Sequence, residues 1–118
     1  MKHILLFILL ALSSLLIKAQ NVTELPAGKY ETKTKTALNK WEKGDIIIID
    51  DSQYRLSSSG EVGEYKFSVA AQRIFFTSGP LKSAYTKVSF ASGKPVIILP
   101  KEENSSLGIT AEVWASKQ

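Results

Sequence analysis

An all-β fold is what this chain of 118 residues predicts: a small antiparallel meander of about eight strands, closed or nearly closed into a barrel. Three observations carry it. Apolar residues recur with a period of two, or in short continuous runs, and seldom at the helical 3.6. Turn-forming clusters punctuate the chain at intervals of roughly 8–12 residues, the spacing of a sandwich or barrel. The segments between them are rich in β-branched and aromatic residues, which suit a pleated, half-buried surface. A β-sandwich is the alternative arrangement of the same strands.

The first nineteen residues read differently. Lys2 and His3 form a short basic start, Ile4–Ile17 carries no charge, and Lys18-Ala19-Gln20 closes the segment. That order is the pattern of a secretory signal peptide, with cleavage expected after Ala19. The uncharged run is shorter than the about 20 residues a bilayer span needs, and Ser13-Ser14 interrupts it. No Cys follows the leader, so a lipoprotein anchor is excluded and no membrane anchor is expected after cleavage. The expected organisation is a leader (1–19), a polar N-terminal arm (20–27) and a single barrel domain (28–118), in a secreted or periplasmic protein.

Strands follow in order. Residues 28–36 alternate Tyr30, Thr32 and Thr34 against Lys29, Glu31, Lys33 and Lys35. Residues 37–44 connect, with a short helical turn around Trp41. Four consecutive isoleucines, Ile46–Ile49, lie between Asp45 and Asp50 and strongly favour extended structure. Asp50-Asp51-Ser52 is turn chemistry. Tyr54 and Leu56 point inward in the next strand, and Tyr65, Phe67 and Val69 alternate with Lys66 and Ser68 in the one after. Arg73–Thr77 ends at the breaker Ser78-Gly79-Pro80. Thr86, Val88 and Phe90 alternate with Lys87 and Ser89. Pro95 and Pro100 bound an apolar run, which suggests an edge or a strand start because proline lacks a ladder donor. Residues 101–107 read as a polar loop. Ile109, Ala111, Val113 and Ala115 share one face of a last strand over 108–116. Bulky aromatics at strand positions, from Tyr30 to Phe90, imply that side chains mostly fill the interior of so small a barrel.

Composition excludes many chemistries. The chain has no Cys, and its single His and single Met are His3 and Met1, both in the leader. The remaining chain therefore lacks thiolate, imidazole and Ser-His-Asp chemistry, and no metal site or cofactor is expected. The formal charge of +4 falls to +2 once Lys2 and Lys18 are removed, too little to point to nucleic acid. Asp45 and Asp50 lie at opposite ends of one strand, about 17 Å apart, and cannot share a site. Asn21-Val22-Thr23 and Asn104-Ser105-Ser106 match the glycosylation sequon and are read as marks of exposed chain.

Residues 63–67 (Gly-Glu-Tyr-Lys-Phe) and 73–81 (Arg-Ile-Phe-Phe-Thr-Ser-Gly-Pro-Leu) resemble a segment of short secreted bacterial proteins without assigned activity. The resemblance implies a small β-fold and carries no known active residue. In shape the chain is similar to miniature lipocalin-like or avidin-like barrels, with Gly28-Lys29-Tyr30 where lipocalins have Gly-x-Trp. Periplasmic inhibitors of C-type lysozyme are also small eight-stranded barrels. Their inhibitory loop carries Ser-Gly-x-x-Tyr, whereas here Ser78-Gly79 is separated from Tyr85 by five residues.

The expected function is thus non-enzymatic: binding of a small apolar ligand or a surface partner. The alternative is an inhibitor or interaction protein acting through residues 78–85. Ser78, Lys82 and Tyr85 are the candidate contacts, because loops at barrel mouths carry binding residues on a rigid sheet.

Overall fold

A computed structural model describes residues 21–34, 43–107, 109 and 111–118. Eight strands follow one another: β1 (Gly28–Thr34), β2 (Ile46–Ile48), β3 (Gln53–Leu56), β4 (Val62–Ser68), β5 (Arg73–Phe76), β6 (Lys87–Ala91), β7 (Lys94–Leu99) and β8 (Val113–Lys117). All pairings are antiparallel, and the spatial order is β5-β4-β3-β2-β1-β8-β7-β6. This is a meander wound into a nearly closed barrel, as the periodicity predicts, and not a sandwich. The expected helical turn at Trp41 lies outside the described residues.

Alternation decides which side chains meet. Ile46 and Ile48 are 0% and 1% exposed, whereas Ile47 is half-buried and Ile49 is exposed. Tyr30, Tyr54, Leu56, Ile74, Ile97 and Val113 point the same way and join one continuous core cluster. Register holds the pattern: Ile46 faces Tyr30 on one side and Leu56 on the other. A slip of one residue would turn every one of these side chains outward.

β2 is shorter than the isoleucine run suggests because Asp50 folds the chain back. Its Oδ1 accepts from the Ser52 and Gln53 amides (2.9 and 2.8 Å), and the Ile49 amide donates to the Gln53 carbonyl (2.9 Å). Those bonds, with the Ser52 amide foremost, hold the exposed Asp50 carboxyl below the usual range. At the far end of β2, burial pushes the Asp45 carboxyl up. The Thr32 amide (3.0 Å) and the Lys29 ammonium (3.4 Å) outweigh it, and the net shift is downward.

Several expectations are corrected. β7 is not an edge: it lies between β6 and β8, and Pro95 sits at its second position, near the strand start. The last strand begins at Val113, five residues later than the alternation suggests, although Ile109 and Ala111 are buried ahead of it. Residues 102–107 are a 3₁₀ segment, and its Asn104 is 1% exposed. The Asn104 carboxamide accepts from the Tyr85 amide (2.7 Å) and donates to the Tyr85 and Pro100 carbonyls (both 2.8 Å). It is therefore an interior bracket and not a mark of exposed chain. Phe75 and Phe90 are exposed. Phe75 alternates with inward Ile74 and Phe76, and Phe90 has inward parity but stands at the end of β6.

Between β5 and β6 the closure is made differently. The buried Thr86 hydroxyl donates to the Ile74 carbonyl (2.7 Å) and accepts from the Ile74 amide (3.0 Å), so one side chain substitutes for a ladder partner. The Val88 amide donates to the Gln72 carbonyl (2.8 Å) alongside. The free edges that an open meander would expose are thereby capped.

Candidate functional site

The chain between β5 and β6 closes one end of the barrel. Leu81 is fully buried and Ala84 nearly so. Tyr54, inside the barrel, donates its hydroxyl proton to the Ser78 carbonyl (2.7 Å) and accepts from the Leu81 amide (2.8 Å). The Ser78 hydroxyl accepts from the Glu64 amide (2.9 Å), and the Thr77 amide donates to the Glu64 carbonyl (2.9 Å). Burial of the Tyr54 phenol is the main cause that pushes its pKa up, so it stays a neutral donor and acceptor.

Gly79 makes this close approach feasible. Its φ is +84°, and a Cβ there would lie 2.6 Å from the Gly63 Cα and 2.9 Å from the Tyr54 hydroxyl. Gly79→Ala is expected to cost at least about 1 kcal/mol from the left-handed backbone alone. Overpacking against Gly63 adds about 1–3 kcal/mol. Urea unfolding checks it; a loss of only a few tenths would mean that the loop does not seat against Gly63.

The three sequence candidates thus have different surroundings. Ser78 is built into the framework by both its hydroxyl and its carbonyl. Lys82 is exposed, and among the described residues it makes no ion pair. Tyr85 is half-buried on the outside of the β5/β6 seam, with its backbone bracketed by Asn104.

A residue the sequence did not single out completes this outer face. The Arg73 guanidinium lies 3.8 Å from the Tyr85 ring centroid and 4.6 Å from that of Phe75, and its Nε donates to the Thr86 carbonyl (3.3 Å). Cation–π contact with two rings and a backbone bond fix the guanidinium in place. Among the described residues no carboxylate pairs with it. Lys66 stands directly opposite Phe75 in the β4/β5 register, and β6 begins with the exposed Lys87. The face is therefore a fixed arginine on an aromatic bed with lysines around it. The signal in the sequence was Arg73 followed two residues later by Phe75, on the outward parity of a strand whose inward residues are Ile74 and Phe76.

The other end of the barrel is crossed by the N-terminal arm. Gln72, at φ +51°, donates from Nε2 to the Val22 and Val69 carbonyls (both 2.7 Å), and its Oε1 accepts from the Val22 amide (2.8 Å). Val22 is fully buried as a result. Tyr30 donates to the Pro26 carbonyl (2.7 Å) from below. Between the arm, the β2–β3 turn and β4 lies a cleft of about 390 Å³. Leu25 of the arm and Tyr65, Phe67 and Val69 of β4 give it apolar walls, and Glu24, Asp50 and Asp51 contribute carboxylates. Tyr65 donates to the Asp50 carbonyl (2.5 Å). Its phenol is pushed up to about 12 by burial first and by the negative charges of Asp50 and Asp51 next.

Fold and surface together define a small, nearly closed antiparallel β-barrel with inward positions occupied by side chains. No family model, curated protein or solved structure matches it. Among the described residues no group of His, Cys, Asp or Glu could hold a metal ion, and no helix is long and apolar enough to cross a membrane.

Proposed function

We infer that this chain is a secreted or periplasmic, non-enzymatic barrel that binds a protein partner through the outer face around Arg73, Tyr85 and Lys82. The observation that carries this reading is the Arg73 guanidinium, which lies against the Tyr85 and Phe75 rings and, among the described residues, pairs with no carboxylate. Arginine and tyrosine dominate binding energy at protein interfaces when they are rigid and centrally placed. Here the ordering cost is largely met before a partner arrives, because ring contacts and the Thr86 carbonyl already fix the guanidinium. The inward positions hold Tyr30, Tyr54, Ile46 and Ile48, which favours a surface partner over an apolar ligand inside the barrel. The lysozyme-inhibitor-like alternative uses the same loop, but Ser78 is committed inward, which leaves Lys82 and Tyr85 as its contacts.

Cross-linking in the native compartment, followed by recovery of the cross-linked species, tests the reading. The Lys82→Ala/Tyr85→Ala double variant is expected to stay folded, with a loss of about 0.5–2 kcal/mol from the Arg73–Tyr85 ring contact, and to lose the cross-linked partner. Recovery of the same partner by the double variant would remove this face. The location has its own check. Mass analysis of exported protein should find a chain that begins at Gln20, whereas an intact Met1 terminus in the membrane fraction would identify the leader as an anchor.

A further inference from the structure

We propose that the cleft beneath the N-terminal arm is a binding site for a small organic amine, an ammonium group on a short apolar body. The cleft is of small-ligand size, at about 390 Å³. Its walls are two kinds of surface side by side. Leu25, Phe67 and Val69 are apolar, and Val69 is 47% exposed, so a hydrocarbon body would cover surface now open to water. Glu24, Asp50 and Asp51 border it with three carboxylates.

Charge complementarity selects the occupant. The whole chain is basic, at +4, yet among the described residues no Lys or Arg lines this cleft. Two carboxylates outside the cleft have cations: Lys29 pairs with Asp45 at 3.4 Å and Lys33 with Glu31 at 3.6 Å. Glu24, Asp50 and Asp51 have none among the described residues. Asp50 spends one oxygen, Oδ1, on the turn amides. Burial first, and the negative charges of Asp50 and Asp51 next, push up the phenol of Tyr65 on the cleft wall. An anionic amphiphile would meet those charges as repulsion, and a neutral one would leave the carboxylates unused.

The geometry also ties the ligand to the arm. Glu24 and Leu25 belong to a segment anchored at Val22 by Gln72 and at Pro26 by Tyr30. An amine lodged between the arm and β4 would contact both walls at once.

The test is a titration of the purified chain followed by backbone amide NMR, with hexylammonium, ethylammonium, hexanol and hexanoate as probes. Hexylammonium is expected to give saturable shifts at Asp51, Phe67 and Val69. Ethylammonium should bind at least about tenfold more weakly, because four methylenes are lost from the apolar contact. Hexanol should be weaker by a few-fold, as expected for loss of several exposed charge contacts, and hexanoate weaker still. Glu24→Gln with Asp51→Asn, which disturbs no bond in the barrel, should weaken hexylammonium about threefold or more and leave hexanol unchanged. Equal binding of hexylammonium, hexanol and hexanoate would overturn the proposal, as would equal binding of the two ammonium probes. Absence of saturable shifts at these three amides, or hexylammonium binding untouched by the double variant, would overturn it too.

Discussion

Tyr54→Ala should unfold the barrel more readily than almost any other single change, with a loss of about 3–5 kcal/mol, the range for deleting a buried aromatic side chain. The Tyr54 ring is fully buried and meets the Phe76 ring at 4.7 Å and 60°. Its removal would leave a void in the core and strand the buried Leu81 amide and the Ser78 carbonyl, which it now satisfies. Tyr54→Phe separates the two contributions. The ring stays, so the expected loss falls to about 1–3 kcal/mol, the cost of leaving buried partners unsatisfied. Urea unfolding of both variants measures the difference. A Tyr54→Phe protein as stable as the parent would show that the loop over this end is held by Leu81 packing alone.

The isoleucine run gives the second large effect. Ile46→Ala and Ile48→Ala are each expected to cost about 2–5 kcal/mol, because both side chains are fully enclosed. Ile47→Ala and Ile49→Ala should cost much less, since Ile47 is half-buried and Ile49 is 39% exposed. The expected pattern along four identical neighbours is therefore large, small, large, small. Equal losses at all four positions would contradict a strand with one face in the core.

That pattern was legible in the sequence as two pairs on opposite faces, but not which pair is inside. Parity is a local property, whereas the inward side depends on Tyr30 and Leu56 flanking Ile46 across two ladders. The strands and their meander could be read because each is a short alternating run beside its neighbour in sequence. What stayed hidden depends on contacts between distant segments. Gln72 lies in a turn and reads as an ordinary polar residue, yet it grips Val22 fifty positions away. Asn104 reads as a loop residue, yet it brackets Tyr85 from nineteen positions away. Thr86 offered a faint signal, a polar residue at the inward parity of Val88. For the candidate site, position pointed to Lys82 and Tyr85, but Arg73 belongs to a different strand and only the seam brings it under the Tyr85 ring.

The pairing of β1 with β8 bears on how the barrel forms. From β2 to β5, and again from β6 to β7, each strand is joined to its ladder partner by a short turn, and such hairpins close within microseconds. The β1–β8 ladder instead joins Tyr30 to Lys117 and Thr34 to Val113, at opposite ends of the domain. Its loop-closure entropy must be met before any of its hydrogen bonds forms, so this step should limit the folding rate. Before β8 is in place, the hairpins would leave β1 and β7 as open edges. Completion of the cylinder therefore waits for β8, and a folding rate that responds to substitutions in β8 more than to those in the β2–β3 turn would be its kinetic signature.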